Sequence, residues 1–217
     1  MIAGGFIRSC VANETINDID CFVPSVEVAR EIAIELAEGD NRRIYETDNA
    51  FTIKGYKIAI QLVHRWTFTT PESAIESFDF TIAKGAFWWE PNNDAGIGCG
   101  SWRSICDSRF YADLAGKRLI YCSPVRNEDA GGSLLRVLKF YQRGYRIPLD
   151  SMGSVISRLV MGLRLTDVTR AGDWSEFSES KVAKVITGLL REVDPNIDPD
   201  HIAHLPSEEK PEEQEGV

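Results

Sequence analysis

Hydrophobic and polar positions along the first half of the chain switch between a helical period and a strand period. Pro24-Ser25 precedes Val28, Ile32 and Leu36 at helical spacing, and Gly39 suits the far end, which predicts a helix of about four turns. Three strand-like runs follow at 42–46, 50–53 and 56–64. The last reads Tyr-Lys-Ile-Ala-Ile-Gln-Leu-Val-His with near alternation, so a small antiparallel or mixed sheet is expected. Thr70-Pro71-Glu72 has the form of a capped short helix, 78–83 reads as a further strand, and a Gly- and Asn-rich loop surrounds 91–100. Beyond it the period is helical, in 133–144 (Leu134, Leu135, Leu138, Tyr141), in 151–163 and in 178–193. The pattern predicts an α+β head over residues 1–115 and a helical neck over 116–200. The tail, 201–217, has almost nothing apolar to bury and is expected to be disordered.

Composition changes this picture only in part. A chain of 217 residues with 43% hydrophobic residues can bury a core. Its opening lacks the charged-then-apolar form of a signal peptide, and no stretch approaches the roughly 20 apolar residues of a membrane span. A cytoplasmic protein without a membrane partner is expected. The five cysteines are scattered and include no Cys-x-x-Cys pair, which speaks against a disulfide framework or a structural zinc site. The formal net charge of −9 argues against indiscriminate nucleic-acid binding. From 117 to 170, however, ten Lys and Arg stand against four Asp and Glu, so a polyanion has a place to dock.

The candidate chemistry lies in 3–22, Ala-Gly-Gly-Phe-Ile-Arg-Ser-Cys-Val-Ala-Asn-Glu-Thr-Ile-Asn-Asp-Ile-Asp-Cys-Phe. Gly4 and Gly5 let the backbone approach a phosphate, and a helix opening there offers unpaired N–H groups to an anion. Residues two apart on a strand share a face, so Asp18 and Asp20 can both reach a hard cation. Asp79, inside the apolar run Ser-Phe-Asp-Phe-Thr-Ile, needs a partner such as a metal to offset its burial. Three carboxylates around one or two Mg²⁺ ions suit in-line phosphoryl chemistry, with the ions about 3.5–4 Å apart. Arg8 suits either a triphosphate or a carboxylate on a helix face. Arg136, Lys139 and Arg143 fall on one face of a helix, where base, phosphate or RNA contact competes with plain solvation.

These residues resemble the nucleotidyltransferases related to DNA polymerase beta, and within them the bacterial-type CCA-adding enzymes and poly(A) polymerases. Four blocks carry the resemblance in order: Gly4-Gly5-x-x-Arg8 with Asp18-Ile19-Asp20; Phe78-Asp79-Phe80-Thr81-Ile82; Asp113-Leu114 with Lys117-Arg118; and 134–140, Leu-Leu-Arg-Val-Leu-Lys-Phe. The resemblance implies a polymerase beta palm-like mixed sheet and a helical neck. It also implies catalytic and metal-binding roles for Asp18, Asp20 and Asp79, and nucleotide contacts from Gly4, Gly5, Arg8, Asp113, Arg118, Arg136 and Lys139. Two Mg²⁺ ions, with Mn²⁺ as a substitute, would support transfer of a nucleoside monophosphate from a nucleoside triphosphate such as ATP. The implied acceptor is an RNA 3′ end, as in tRNA processing. Gly132-Ser133 stand where the family has Glu-Asp, and Ala83 where it has Asn, so base selection does not carry over. Two other readings stay open. One is transfer to a protein side chain or a small molecule; the other is a non-catalytic module that binds nucleotide or RNA.

Overall fold

A computed structural model describes residues 1–39, 41–92, 98–124 and 130–171, together with Ala183 and Ile186, and the side chains of 130 and 162–171 are not among what it describes. The helix expected over 178–193 and the tail at 201–217 lie outside the described residues. The chain runs β1 (Ile2–Ala3), α1 (Gly5–Ala12), β2 (Asp18–Phe22), α2 (Val26–Ala37), β3 (Arg43–Glu46), β4 (Ala50–Lys54), β5 (Ala59–Val63), α3 (Pro71–Glu76), β6 (Gly85–Pro91), β7 (Gly100–Cys106), α4 (Phe110–Ala115), α5 (Ala130–Gln142) and α6 (Leu149–Ala171).

The seven strands form one mixed sheet in the order β3-β4-β5-β2-β1-β6-β7. Only β2 and β5 pair in parallel, Asp18 opposite Ala59 and Asp20 opposite Gln61. That parallel pair requires a crossover, and α2, β3 and β4 supply it between the two strands. Ser25 caps α2 by accepting from the Val28 N–H at 3.3 Å. The buried face of α2, Ala29 and Ala33, packs on Phe51, Ile53 and Leu62, with Cys21 and Ile60 beside them. One face of β2 and β5 is thereby committed to packing, which leaves the other face, with Asp18, Asp20 and Gln61, to the cleft. Thr70 and Ser73 form a reciprocal capping box that starts α3, as the Thr-Pro-Glu pattern predicts.

The strand expected at 78–83 is absent. Phe80 makes a single antiparallel bridge to Tyr121, and Thr81–Ala83 form one turn of 3-10 helix. Phe80, Thr81 and Ile82 are all buried, so the segment enters the core along its whole length instead of alternating sides. Strands β6 and β7 pair antiparallel over seven positions and extend the sheet beyond β1, and residues 93–97 of the Gly- and Asn-rich stretch between them lie outside the described residues. Among the described residues the largest core cluster spans residue 115: Phe80, Ile82, Phe110 and Leu114 pack with Leu119, Tyr121, Val137, Phe140, Tyr145 and Val155. Among the described residues no helix is long and apolar enough to cross a membrane.

Candidate functional site

The open face of β2 and β5 forms the floor of a cleft of about 430 Å³, with the start of α1 on one side and α5 on another. Asp18, Asp20, Gln61 and Val63 contribute from the sheet, Gly4, Gly5 and Arg8 from the β1–α1 turn and its helix, and Arg136, Lys139, Phe140 and Arg143 from α5 and its end. Alternation along β2 thus brings Asp18 and Asp20 together. The Asp20 carboxyl is pushed up to about 6 because it is largely buried and Asp18 lies beside it, while Lys139 across the cleft opposes the shift.

Gly4 caps α1 with φ +82°, a left-handed backbone that a side chain disfavours, and its N–H donates to the Gly85 carbonyl at 2.9 Å. A Cβ here would also meet the Phe78 ring at 3.4 Å. Gly4 therefore sets the first turn of α1 close against the segment that carries Asp79.

Asp79 is 5% exposed and its partners are protein groups. Its Oδ2 accepts from Ser133 Oγ at 2.9 Å and from Arg136 Nε at 2.7 Å, both on α5. The cost of burial that the sequence pattern assigns to a metal is thus offset by a hydroxyl and a guanidinium. Among the described residues no three or more His, Cys, Asp or Glu side chains converge on a common point. All three expected carboxylates line the cleft, Asp18 and Asp20 as a pair on β2 and Asp79 tied to Arg136.

Arg8 is 8% exposed and lines the cleft, and its carboxylate neighbour is Glu14, just beyond the end of α1. Its Nη2 donates to Ser9 Oγ at 2.9 Å, and its Nε lies 3.7 Å from Glu14 Oε2. Burial, then Arg143, holds Arg8 below its ordinary value, against the pull of Glu14. Asp113 and Arg118 are not brought to the cleft. Asp113 is buried beneath α4, where its carboxylate accepts from Thr81 Oγ1 at 2.8 Å and from Arg109 at 3.1 and 3.0 Å. Burial pushes its carboxyl up, but the Arg109 and Thr81 hydrogen bonds outweigh that and hold it low. Arg118 is exposed, and its backbone N–H closes the turn onto the Asp113 carbonyl at 2.8 Å. These two residues hold α4 and the turn that follows it.

The cleft residues not singled out by the sequence include Asn17, Asn49, Gln61 and Trp66. Gln61 was legible in principle, as the polar break in an apolar strand facing Asp20. Asn49 owes its orientation to Arg65, whose Nη1 donates to Asn49 Oδ1 at 2.8 Å across 16 residues, a link without a sequence pattern.

A model of the family described as "Gad2: Gabija anti-defense 2 family protein" matches residues 1–117. The chain belongs to this family. Its relative "Gabija anti-defense 2" from Bacillus phage SPbetaL7 is 34% identical over 90 residues, which are 40% of this chain and 22% of the relative. The match therefore spans less than a quarter of that relative's length. Among solved structures, "Structure of tRNA-processing enzyme with CTP" superposes with a TM-score of 0.51 at 18% identity, covering 88% of this chain and 52% of that one. A tRNA nucleotidyltransferase complexed with a primer tRNA and an incoming ATP analog gives 0.51 at 16% identity, covering 89% of this chain and 58% of that one. The Gad2 chain thus has the nucleotidyltransferase fold, with a mixed α+β sheet and helices, as its motifs imply.

Proposed function

We propose that this Gad2 chain is a metal-dependent nucleotidyltransferase that moves a nucleoside monophosphate from a nucleoside triphosphate to an acceptor hydroxyl. The observation that carries the reading is the Asp18–Asp20 pair, two carboxylates on one sheet face at the floor of a cleft whose other side begins with Gly4-Gly5 and the N-terminus of α1. The donor set fits a hard divalent cation such as Mg²⁺: a second negative charge pressed on the largely buried Asp20 disfavours its ionised form, and a cation relieves that. Asp18 and Asp20 would hold it, and when bound it supplies charge neutralisation for in-line displacement at the α-phosphate. The N–H groups opening α1 face the phosphates, and Arg8 adds a charge that stays on the protein side of the cleft. Arg136, held by Asp79, and Lys139 present cations to the nucleotide from α5. In this account Asp79 positions Arg136 and does not hold the metal.

An RNA 3′ end is the leading acceptor, supported by the shared fold with a nucleotidyltransferase seen with primer tRNA and by the excess of Lys and Arg in 117–170. The family membership favours a second reading, in which the acceptor is a component of the defence that the family's name refers to. The test incubates the protein with Mg²⁺, total RNA and each labelled triphosphate in turn, beside Asp18→Ala/Asp20→Ala. Label on RNA that disappears in the variant supports terminal transfer and names the nucleotide. Pyrophosphate release without RNA label moves the acceptor to protein or a small molecule. Triphosphate binding with no turnover leaves a binding module and ends the catalytic reading.

A further inference from the structure

One side of the cleft carries a charge cluster of which the transfer reading uses only Arg8. Two left-handed turns build it. Asn13, at φ 54°, ends α1 and turns the chain so that the Glu14 N–H returns to the Ser9 carbonyl at 2.9 Å. Gly144, at φ 85°, ends the α5 region and sends Tyr145 back to the Phe140 carbonyl at 3.0 Å. The two turns meet. The fully buried Tyr145 donates its hydroxyl to Glu14 Oε1 at 2.9 Å, across 131 residues of sequence. The other oxygen, Glu14 Oε2, lies 3.7 Å from Arg8 Nε and 3.7 Å from Arg143 Nη1. Both guanidinium carbons lie over the Phe140 ring, at 4.7 Å for Arg8 and 6.0 Å for Arg143.

The carboxylate sits between the cations at ion-pair distance but beyond hydrogen-bond distance. Arg8 Nε and Glu14 Oε2 are both buried without a hydrogen-bond partner. A buried guanidinium with an unused N–H, beside a second guanidinium in the same cleft, is a pair suited to donate to the oxygens of an anion. Two cations brought this close repel, and Glu14 is the charge that lets them share the site.

We propose that Arg8 and Arg143 form a paired-guanidinium seat for phosphate oxygens, with Glu14 as its resident counter-ion and Tyr145 as the residue that positions Glu14. This rests on the nucleotide reading of the same cleft and assigns the seat to the nucleotide's phosphate chain. Arg8 lies on the second turn of α1, one turn beyond the Gly4-Gly5 opening, and is almost wholly buried. A short, flexible polyphosphate reaches it, whereas the phosphodiester backbone of an RNA would meet the exposed Lys139 first. Arg143 is then a specificity determinant that favours tri- over monophosphates.

The test measures binding by calorimetry in EDTA, with sodium tripolyphosphate, AMP and an unphosphorylated single-stranded RNA as separate titrants. Arg143→Gln is expected to weaken tripolyphosphate about tenfold or more and to leave AMP unchanged, the loss of one charge-assisted contact. Glu14→Gln is expected to tighten tripolyphosphate several-fold at low salt, because the competing carboxylate is gone. Tyr145→Phe should weaken tripolyphosphate several-fold while AMP holds, whereas a merely structural defect would weaken both. Tripolyphosphate binding that is indifferent to Arg143→Gln overturns the seat. A loss confined to RNA assigns the pair to an RNA backbone and overturns the nucleotide assignment. Since metal and acceptor are both left out, wild-type tripolyphosphate binding that depends on Arg143 upholds the seat even if no transfer is ever detected.

Discussion

Asp20 and Asp79 reach the same cleft from different segments, and the neighbours of each decide what it can do. Asp79 is buried with its charge answered twice, by Ser133 and Arg136. Asp20 is largely buried beside a like charge, with its main opposition a lysine across the cleft. A carboxylate that is satisfied holds structure together, while one that is frustrated stores affinity for whatever cation arrives. Burial alone, which is what a sequence pattern can suggest, does not separate the two.

The comparison breaks most sharply at Asp79. Arg136→Met leaves its carboxylate with the Ser133 hydroxyl as its remaining partner among the described residues and should cost about 2–3 kcal/mol, the low end for a buried pair because Arg136 is 39% exposed. Urea denaturation measures it, and an unchanged midpoint would mean the pair is not structural. Asp20 behaves in the opposite way. Its folded-state value of about 6 lies above the ordinary 3.8, so the folded protein binds more protons between those values. The metal-free protein should therefore lose stability, about 2 kcal/mol after allowance for partial exposure, as pH rises from near 4 to above 6. Asp20→Asn should flatten that slope and raise the metal-free melting temperature at pH 8, and Mg²⁺ should stabilise the wild type but not the variant.

Gly4 joins the two regions, since its missing side chain lets α1 start against Phe78, next to Asp79. Gly4→Ala imposes a left-handed alanine and a crowded ring, about 1 kcal/mol by thermal melting. The smallest effect belongs to a control on the far side of the sheet. Arg30 and Glu46 make a 2.8 Å ion pair with both side chains more than half exposed, so Arg30→Ala should change stability by about 0.5 kcal/mol or less. A larger loss there would undo the claim that burial and company, not ion pairing as such, separate Asp79 from the rest.

Local signals were the legible part of this molecule. Ser25 and Thr70 cap the helices their spacing promised, and the Asp-x-Asp alternation put Asp18 and Asp20 on one face because strand geometry is set within three residues. The segment 78–83 misled because Phe78, Phe80 and Ile82 alternate in sequence, yet Thr81 between the last two is buried as well and bonds to Asp113. Partners supplied from far along the chain were not legible. Asp79 finds its donors 54 and 57 residues away, and Asp113 is absorbed by Thr81 32 residues before it. The same distance hides the Glu14–Tyr145 contact, which no window of sequence spans.

The core cluster that runs from Phe80 to Val155 bears on modular exchange. A hybrid that grafts residues 1–115 onto a foreign C-terminal part would strip Phe80, Phe110 and Leu114 of Leu119, Tyr121, Val137 and Phe140, leaving an apolar scar under the cleft. Recombination between relatives should therefore be tolerated where the crossover keeps these side chains from one parent, and the seam near residue 115, natural to the eye on paper, is the costlier place to cut.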